Sequence, residues 1–181
     1  MQGLATLLPE PFFAQVQSLW DELETAHNLR GVRVTPFPHF TWQIAAGYDP
    51  ARIKPAVEAF ARRTPRFLVR TTGLGLFSGP RPVLYIPIVK TAMLLRAHAD
   101  LWESARPAAS QFSPYYSPGG WMPHITLAID DLDVANIGPV LQTLAFRDFS
   151  WEMTVDSLTF LDQPDGINTV IQWELPLANT L

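Results

Sequence analysis

Residues 38–45 read PHFTWQIA and residues 123–130 read PHITLAID, and the whole chain is parsed from these two stretches. Both alternate polar with apolar side chains and are rich in β-branched or aromatic residues, the period-two signature of a half-buried strand. On an extended strand His39, Thr41 and Gln43 share one face, while Phe40, Trp42 and Ile44 share the other. His124, Thr126 and Ala128 oppose Ile125, Leu127 and Ile129 in the same way. The apolar triplets are expected to pack under helices, which leaves both His–Thr pairs pointing into a shared cleft.

The two blocks lie 85 residues apart, and the segments before them repeat as well. Residues 10–26 carry Phe13, Val16, Leu19, Trp20 and Leu23 at helical spacing, and residues 91–105 carry Leu94, Leu95, Leu101 and Trp102. Leu19-Trp20-Asp21 matches Leu101-Trp102-Glu103 at an offset of 82 residues, so three residues are inserted between 106 and 122. Each helix follows a short apolar stretch, Leu4–Leu8 and Val83–Val89. After the first block a helix is expected at 50–62 and strands at 66–77 and 82–89; after the second, a helix at 133–145 and strands at 149–161 and 167–175. Pro87, inside one of these strands, predicts an edge position or a bulge. A unit used twice predicts an α+β, duplicated two-lobed fold, with antiparallel sheets lining a central groove and helices packed outside. The 181 residues are expected to form one domain of two pseudo-symmetric lobes, carrying the motifs at 39–42 and 124–127.

Composition narrows the chemistry. The absence of cysteine removes thiol nucleophiles, disulfides and thiolate-bound metals. No window approaches a membrane span, and Glu10 between Pro9 and Pro11 interrupts the N-terminal apolar run, so a cytoplasmic protein is expected. Thirteen basic against seventeen acidic residues give a net charge of −4, a poor footprint for an extended polyanion. The densest basic cluster, Arg62, Arg63, Arg66 and Arg70, reads as a solvated helix end and strand margin.

Two histidines in matched settings suit phosphoester chemistry. Near neutral pH one imidazole takes a proton from the attacking hydroxyl while the other gives one to the leaving oxygen. The hydroxyls of Thr41 and Thr126, two residues on, can donate to nonbridging phosphoryl oxygens. A metal site is the competing reading, but two histidines with no fixed carboxylate nearby make an incomplete ligand set. Asp130, Asp131 and Asp133 read as a turn or helix start. The loop at 111–123 contains Tyr115, Tyr116 and Trp121, candidates to flank a base or ribose, with local packing as the alternative. The remaining histidines, His27 and His98, lie in or beside helical segments and are expected at the surface or at helix ends.

His39-Phe40-Thr41-Trp42 and His124-Ile125-Thr126-Leu127 resemble the paired motifs of the 2H phosphoesterase superfamily, which includes RNA 2′,3′-cyclic phosphodiesterases and bacterial 2′-5′ RNA ligases. The resemblance implies His39 and His124 as the acid/base pair, Thr41 and Thr126 as phosphate clamps, and no metal or other cofactor. It implies hydrolysis of a 2′,3′-cyclic phosphodiester on a nucleotide or short RNA end by a monomer, with 2′-5′ ligation or a weakly active RNA-end binding protein as alternatives. RNA-processing relatives commonly carry basic residues around the groove. Here only Arg30 and Arg33 precede the first motif, which favours a cyclic nucleotide or a short RNA with a terminal cyclic phosphate.

Overall fold

A computed structural model describes residues 1–179. In chain order the elements are β1 (Gln2–Leu7), α1 (Phe12–His27), β2 (His39–Tyr48), α2 (Pro50–Arg63), β3 (Phe67–Arg70), β4 (Gly75–Phe77) and β5 (Val83–Pro87). The second half continues with α3 (Ala92–Ala105), β6 (Ala109–Phe112), β7 (His124–Ala128), α4 (Ile137–Leu144), β8 (Glu152–Val155), β9 (Ser157–Asp162) and β10 (Val170–Pro176). Local chemistry sets the helix starts. Asp49 accepts a hydrogen bond from Ala51 N at 2.9 Å with Pro50 in the first turn of α2, and Thr91 accepts from Leu94 N at 3.2 Å at the start of α3. Helix α4 begins later than residue 133 because the Asp133 carboxylate accepts from the backbone of Ala135 and Asn136, an Asx turn that takes up those residues.

The main sheet runs β10-β9-β1-β2-β7-β5-β4, antiparallel throughout, with β6 along the far end of β2. Its two lobes meet where Phe40 pairs with Ile125, the same position in the two repeats. The predicted single strands at 66–77 and 149–161 each break in two, because their pieces serve different sheets. The first pieces, β3 and β8, pair with each other around Leu68↔Thr154 and Val69↔Met153. The second pieces cross over: β4 joins β5 of the second unit, and β9 joins β1 of the first. Each lobe therefore combines strands from both repeats. Both the Phe40–Ile125 pair and the β3–β8 ribbon are centred on equivalent residues, as a pseudo-twofold axis requires.

Helices cover one side of the strands. Helix α1 lies behind β7 and α3 behind β2, so the helix of each unit supports the motif strand of the other across the sheet junction. Trp20, Trp42, Trp121, Phe40 and Phe60 are among the largest fully buried side chains. Pro87 is neither at an edge nor at a bulge: it ends β5, an inner strand, opposite His124 and beyond the reach of β4, so its missing N–H disrupts no ladder there. No helix among the described residues is long and apolar enough to cross a membrane.

Candidate active site

Both motif strands carry the same irregularity. Along β1 the partner of Leu4 is Gln43 and that of Ala5 is Thr41; along β5 the partner of Leu84 is Ala128 and that of Tyr85 is Thr126. Trp42 and Leu127 are thus the extra residues of two equivalent β-bulges. The alternation predicted from sequence holds through each threonine and fails beyond it. Gln43 and Ala128 are buried rather than on the face of the histidines, and the Gln43 amide has no hydrogen-bond partner within the protein. At each bulge the threonine carbonyl accepts an indole N–H from elsewhere: Trp121 Nε1 donates to Thr41 O at 2.9 Å, and Trp20 Nε1 donates to Thr126 O at 3.0 Å.

The histidines are anchored alike. Nδ1 of His39 lies 2.5 Å from the Phe37 carbonyl and Nδ1 of His124 lies 2.6 Å from the Met122 carbonyl. A carbonyl only accepts, so Nδ1 carries the proton and Nε2 is left to exchange one. Burial pushes both imidazoles below the usual histidine range, while these carbonyls act in the opposite direction; His39 is lowered further by the charge of His124. Antiparallel pairing at Phe40 and Ile125 brings His39 and Thr41 of one strand beside Thr126 and His124 of the other.

The surroundings of the two pairs differ. Next to His39 and Thr41 is a cavity of about 90 Å³, floored by Gly3 and Ala5 of β1 and bordered by Ile44, Leu161 and Gln163. On the other side Tyr85 and Phe77 stack at 4.2 Å, and both rings stand 5.0 Å from the His124 ring. Gly75 makes room for them, since a Cβ there would lie 2.3 Å from the Tyr85 ring.

Other predicted residues are placed variously. Tyr115 is exposed at the surface; Tyr116 is half-buried, with its phenol next to the Thr41 hydroxyl. Trp121 does not face the groove: it is buried, stacked on Trp42 and His98. His98 is likewise a core residue rather than a surface one, because α3 packs on β2 and brings its Nε2 to 3.1 Å from the Trp42 carbonyl. His27, at the end of α1, meets the Thr143 hydroxyl at 3.0 Å. Arg30 and Arg33 are held back on α1 by Glu24 and Asp21, and the Arg33 guanidinium lies 5.7 Å over Trp20. The Asp131 carboxylate is taken up by the backbone N–H groups of Arg30 and Gly31. A Cβ at Gly31 would lie 1.8 Å from the Ile129 carbonyl oxygen, so this close approach of the two halves requires glycine. No group of three or more potential metal ligands occurs among the described residues.

Several site residues escape sequence reasoning: the carbonyls of Phe37 and Met122, the indole of Trp20, and the Phe77–Tyr85–Gly75 set. For the first a signal was present. Both motifs open with proline, which fixes the backbone between the carbonyl and the histidine it holds, at Pro38 and Pro123. The aromatic set left none, because it depends on strand pairing across the β4–β5 turn.

The family model for the 2′-5′ RNA ligase superfamily matches residues 8–166. Among solved structures, TT0787 of Thermus thermophilus is similar with a TM-score of 0.64, 21% identity and 99% of each chain covered. LigT of E. coli, solved in complex with 3′-AMP, gives a TM-score of 0.63 at 16% identity, with 98% of each chain covered. Usb1 of Kluyveromyces marxianus, solved with uridine monophosphate, gives 0.51 at 10% identity, with 97% of this chain and 98% of that one covered. At these identities the likeness is one of fold. Comparison with curated proteins finds no match. With most of its length matched by the family model and both histidine motifs carried on the fold those structures share, the chain belongs to the 2′-5′ RNA ligase superfamily of 2H phosphoesterases.

Proposed function

We propose that this protein hydrolyses a 2′,3′-cyclic phosphodiester on a nucleotide or short RNA end, without a metal, using His39 and His124 as acid and base and Thr41 and Thr126 as phosphate clamps. The observation that carries this reading is the duplicated anchoring. Each imidazole donates its Nδ1–H to the carbonyl two residues back, which leaves two Nε2 atoms free for proton exchange. One neutral Nε2 removes a proton from water as its oxygen bonds to phosphorus. The other, protonated, delivers its proton to the ribose oxygen as the P–O bond to that oxygen breaks. The threonine hydroxyls donate to the nonbridging oxygens, where negative charge builds up.

Short substrates are favoured because Arg30 and Arg33 are paired on α1 instead of lining the groove. The 2′-5′ ligation named in the family description would use the same two proton transfers, with a 5′-hydroxyl in place of water as the attacking group and the ribose 3′ oxygen leaving. The test is to incubate purified protein in excess chelator with the four nucleoside 2′,3′-cyclic phosphates and with oligonucleotides ending in a cyclic phosphate. Release of a 2′- or 3′-monophosphate is expected. No turnover of any of them, or turnover only after a divalent ion is restored, would reject the reading.

A further inference from the structure

The two halves of the groove do not offer equal room, and the difference points to where a substrate lies. We propose that the cavity beside His39 is a nucleobase subsite, seating the base of a nucleoside cyclic phosphate and reading its edge through the side-chain amide of Gln163. The proposal rests on the reading of the groove as a phosphodiester site and adds where and how the nucleoside is held.

The cavity opens directly from His39 and Thr41, so a phosphate bound by Thr41 has its ribose and base on that side. Its floor is flat. Gly3 and Ala5 project at most a methyl group from β1, and the backbone there suits the face of a planar ring. At the corresponding positions of the other lobe, set by the same pairing to Thr126 and to β4, stand Tyr85 and Val83. In that lobe the stacked Tyr85 and Phe77 rings occupy the corresponding space.

The far wall is polar and fixed. Gln163 Nε2 donates to the Thr169 hydroxyl at 2.9 Å, and that hydroxyl lies 2.9 Å from the hydroxyl of Thr35. This network sets the plane of the amide while leaving it one N–H and its carbonyl oxygen, a donor and an acceptor side by side. A glutamine amide so presented pairs in two-point fashion with a base edge that carries a neighbouring donor and acceptor, as adenine does. The cavity walls contain no lysine or arginine, so a second phosphate is a poorer occupant than a base.

The experiment is equilibrium binding of adenosine 3′-monophosphate, ribose 3-phosphate and inorganic phosphate to the wild-type protein and to Gln163→Ala, Gly3→Val and Phe77→Ala, each checked for folding by circular dichroism. In the wild type the nucleotide should bind at least about tenfold more tightly than ribose 3-phosphate. That advantage should largely disappear in Gln163→Ala and Gly3→Val and persist in Phe77→Ala. Equal affinity of nucleotide and ribose phosphate in the wild type would overturn the subsite, as would loss of the advantage in Phe77→Ala alone. The two proposals separate cleanly: base-dependent binding without turnover of cyclic nucleotides rejects the enzymatic reading and keeps the subsite, whereas turnover without base dependence does the reverse.

Discussion

The first and second halves of the groove share a backbone and differ in their side chains. In both, a Pro-His-x-Thr strand bulges just after its threonine against its neighbour, the histidine is held by the carbonyl two residues back, and an indole N–H caps the threonine carbonyl. Beside His39 the partner strand offers Ala5 and an open cavity; beside His124 it offers Tyr85, covered by Phe77. The repeated features are those that fix the histidine and the threonine of each motif. The divergent ones are the side chains on either side of those pairs. On the proposed reading, duplication has kept the proton-transfer groups symmetric and left recognition to one side.

The most severe way to break the comparison is to remove one imidazole at a time. His39→Ala and His124→Ala should each lower turnover of a cyclic nucleotide by roughly 10²–10⁴-fold if each performs its own proton transfer. A variant of either that retained near-wild-type turnover would end the two-histidine mechanism. Because burial lowers both histidines, the pH optimum of kcat/KM for the wild type should fall below about 6.5, the ordinary histidine value. An optimum well above neutrality would contradict the symmetric, desolvated setting.

A second difference between the halves concerns acid. The first-half motif leans on the buried His98, whereas the matching position of α1 holds Val16. Desolvation lowers His98 to about 4, so on acidification the unfolded chain takes up the proton first. Its contribution to stability is complete above about 6.5, declines as pH falls, and is lost near its folded value, a change on the order of 3 kcal/mol. Urea unfolding between pH 7 and pH 4 should show this decline. His98→Gln should be less stable at pH 7 and show a shallower slope; an unchanged slope would remove His98 from the account.

The threonines test the clamps with a smaller effect. Thr41→Val and Thr126→Val should each cost roughly 10–10²-fold in turnover, since the remaining donor and water meet part of the developing charge, and neither should move the pH profile. A loss as large as that of the histidine variants, with a displaced pH limb, would instead give the threonine a part in proton transfer.

The mildest test compares two glycines. A Cβ at Gly75 would meet the Tyr85 ring at 2.3 Å, whereas one at Gly3 would stand 3.3 Å from the Gln43 carbonyl oxygen. Gly75→Ala must displace Tyr85, and with it the rings around His124, so about 1–3 kcal/mol of stability should be lost together with some turnover. Gly3→Ala needs a shift of only a few tenths of an ångström and should cost less. Thermal melts and kcat for the pair decide it; equal behaviour would show that the aromatic packing does not hold His124 in place.

Much of this molecule is written locally in its chain. The apolar stripe of residues 10–26 gives α1 at Phe12–His27, and that of 91–105 gives α3 at Ala92–Ala105. The spacing of His39 with Thr41 and of His124 with Thr126 gives two polar strand faces, because side-chain period is a property of one backbone segment. The bulges were not legible: they arise where β2 and β7 meet β1 and β5, and they turn Gln43 and Ala128 inward against the simple alternation. Nor were the crossing of β4 and β9 between lobes, the burial of His98 and Trp121, or the Tyr85–Phe77 shelf. Each is settled by contacts between residues far apart in sequence, where register and the competition for buried space outweigh local preference. Sequence alone thus determined which polar side chains share a strand face in each motif, while the pairing of distant strands decided how much room each was given.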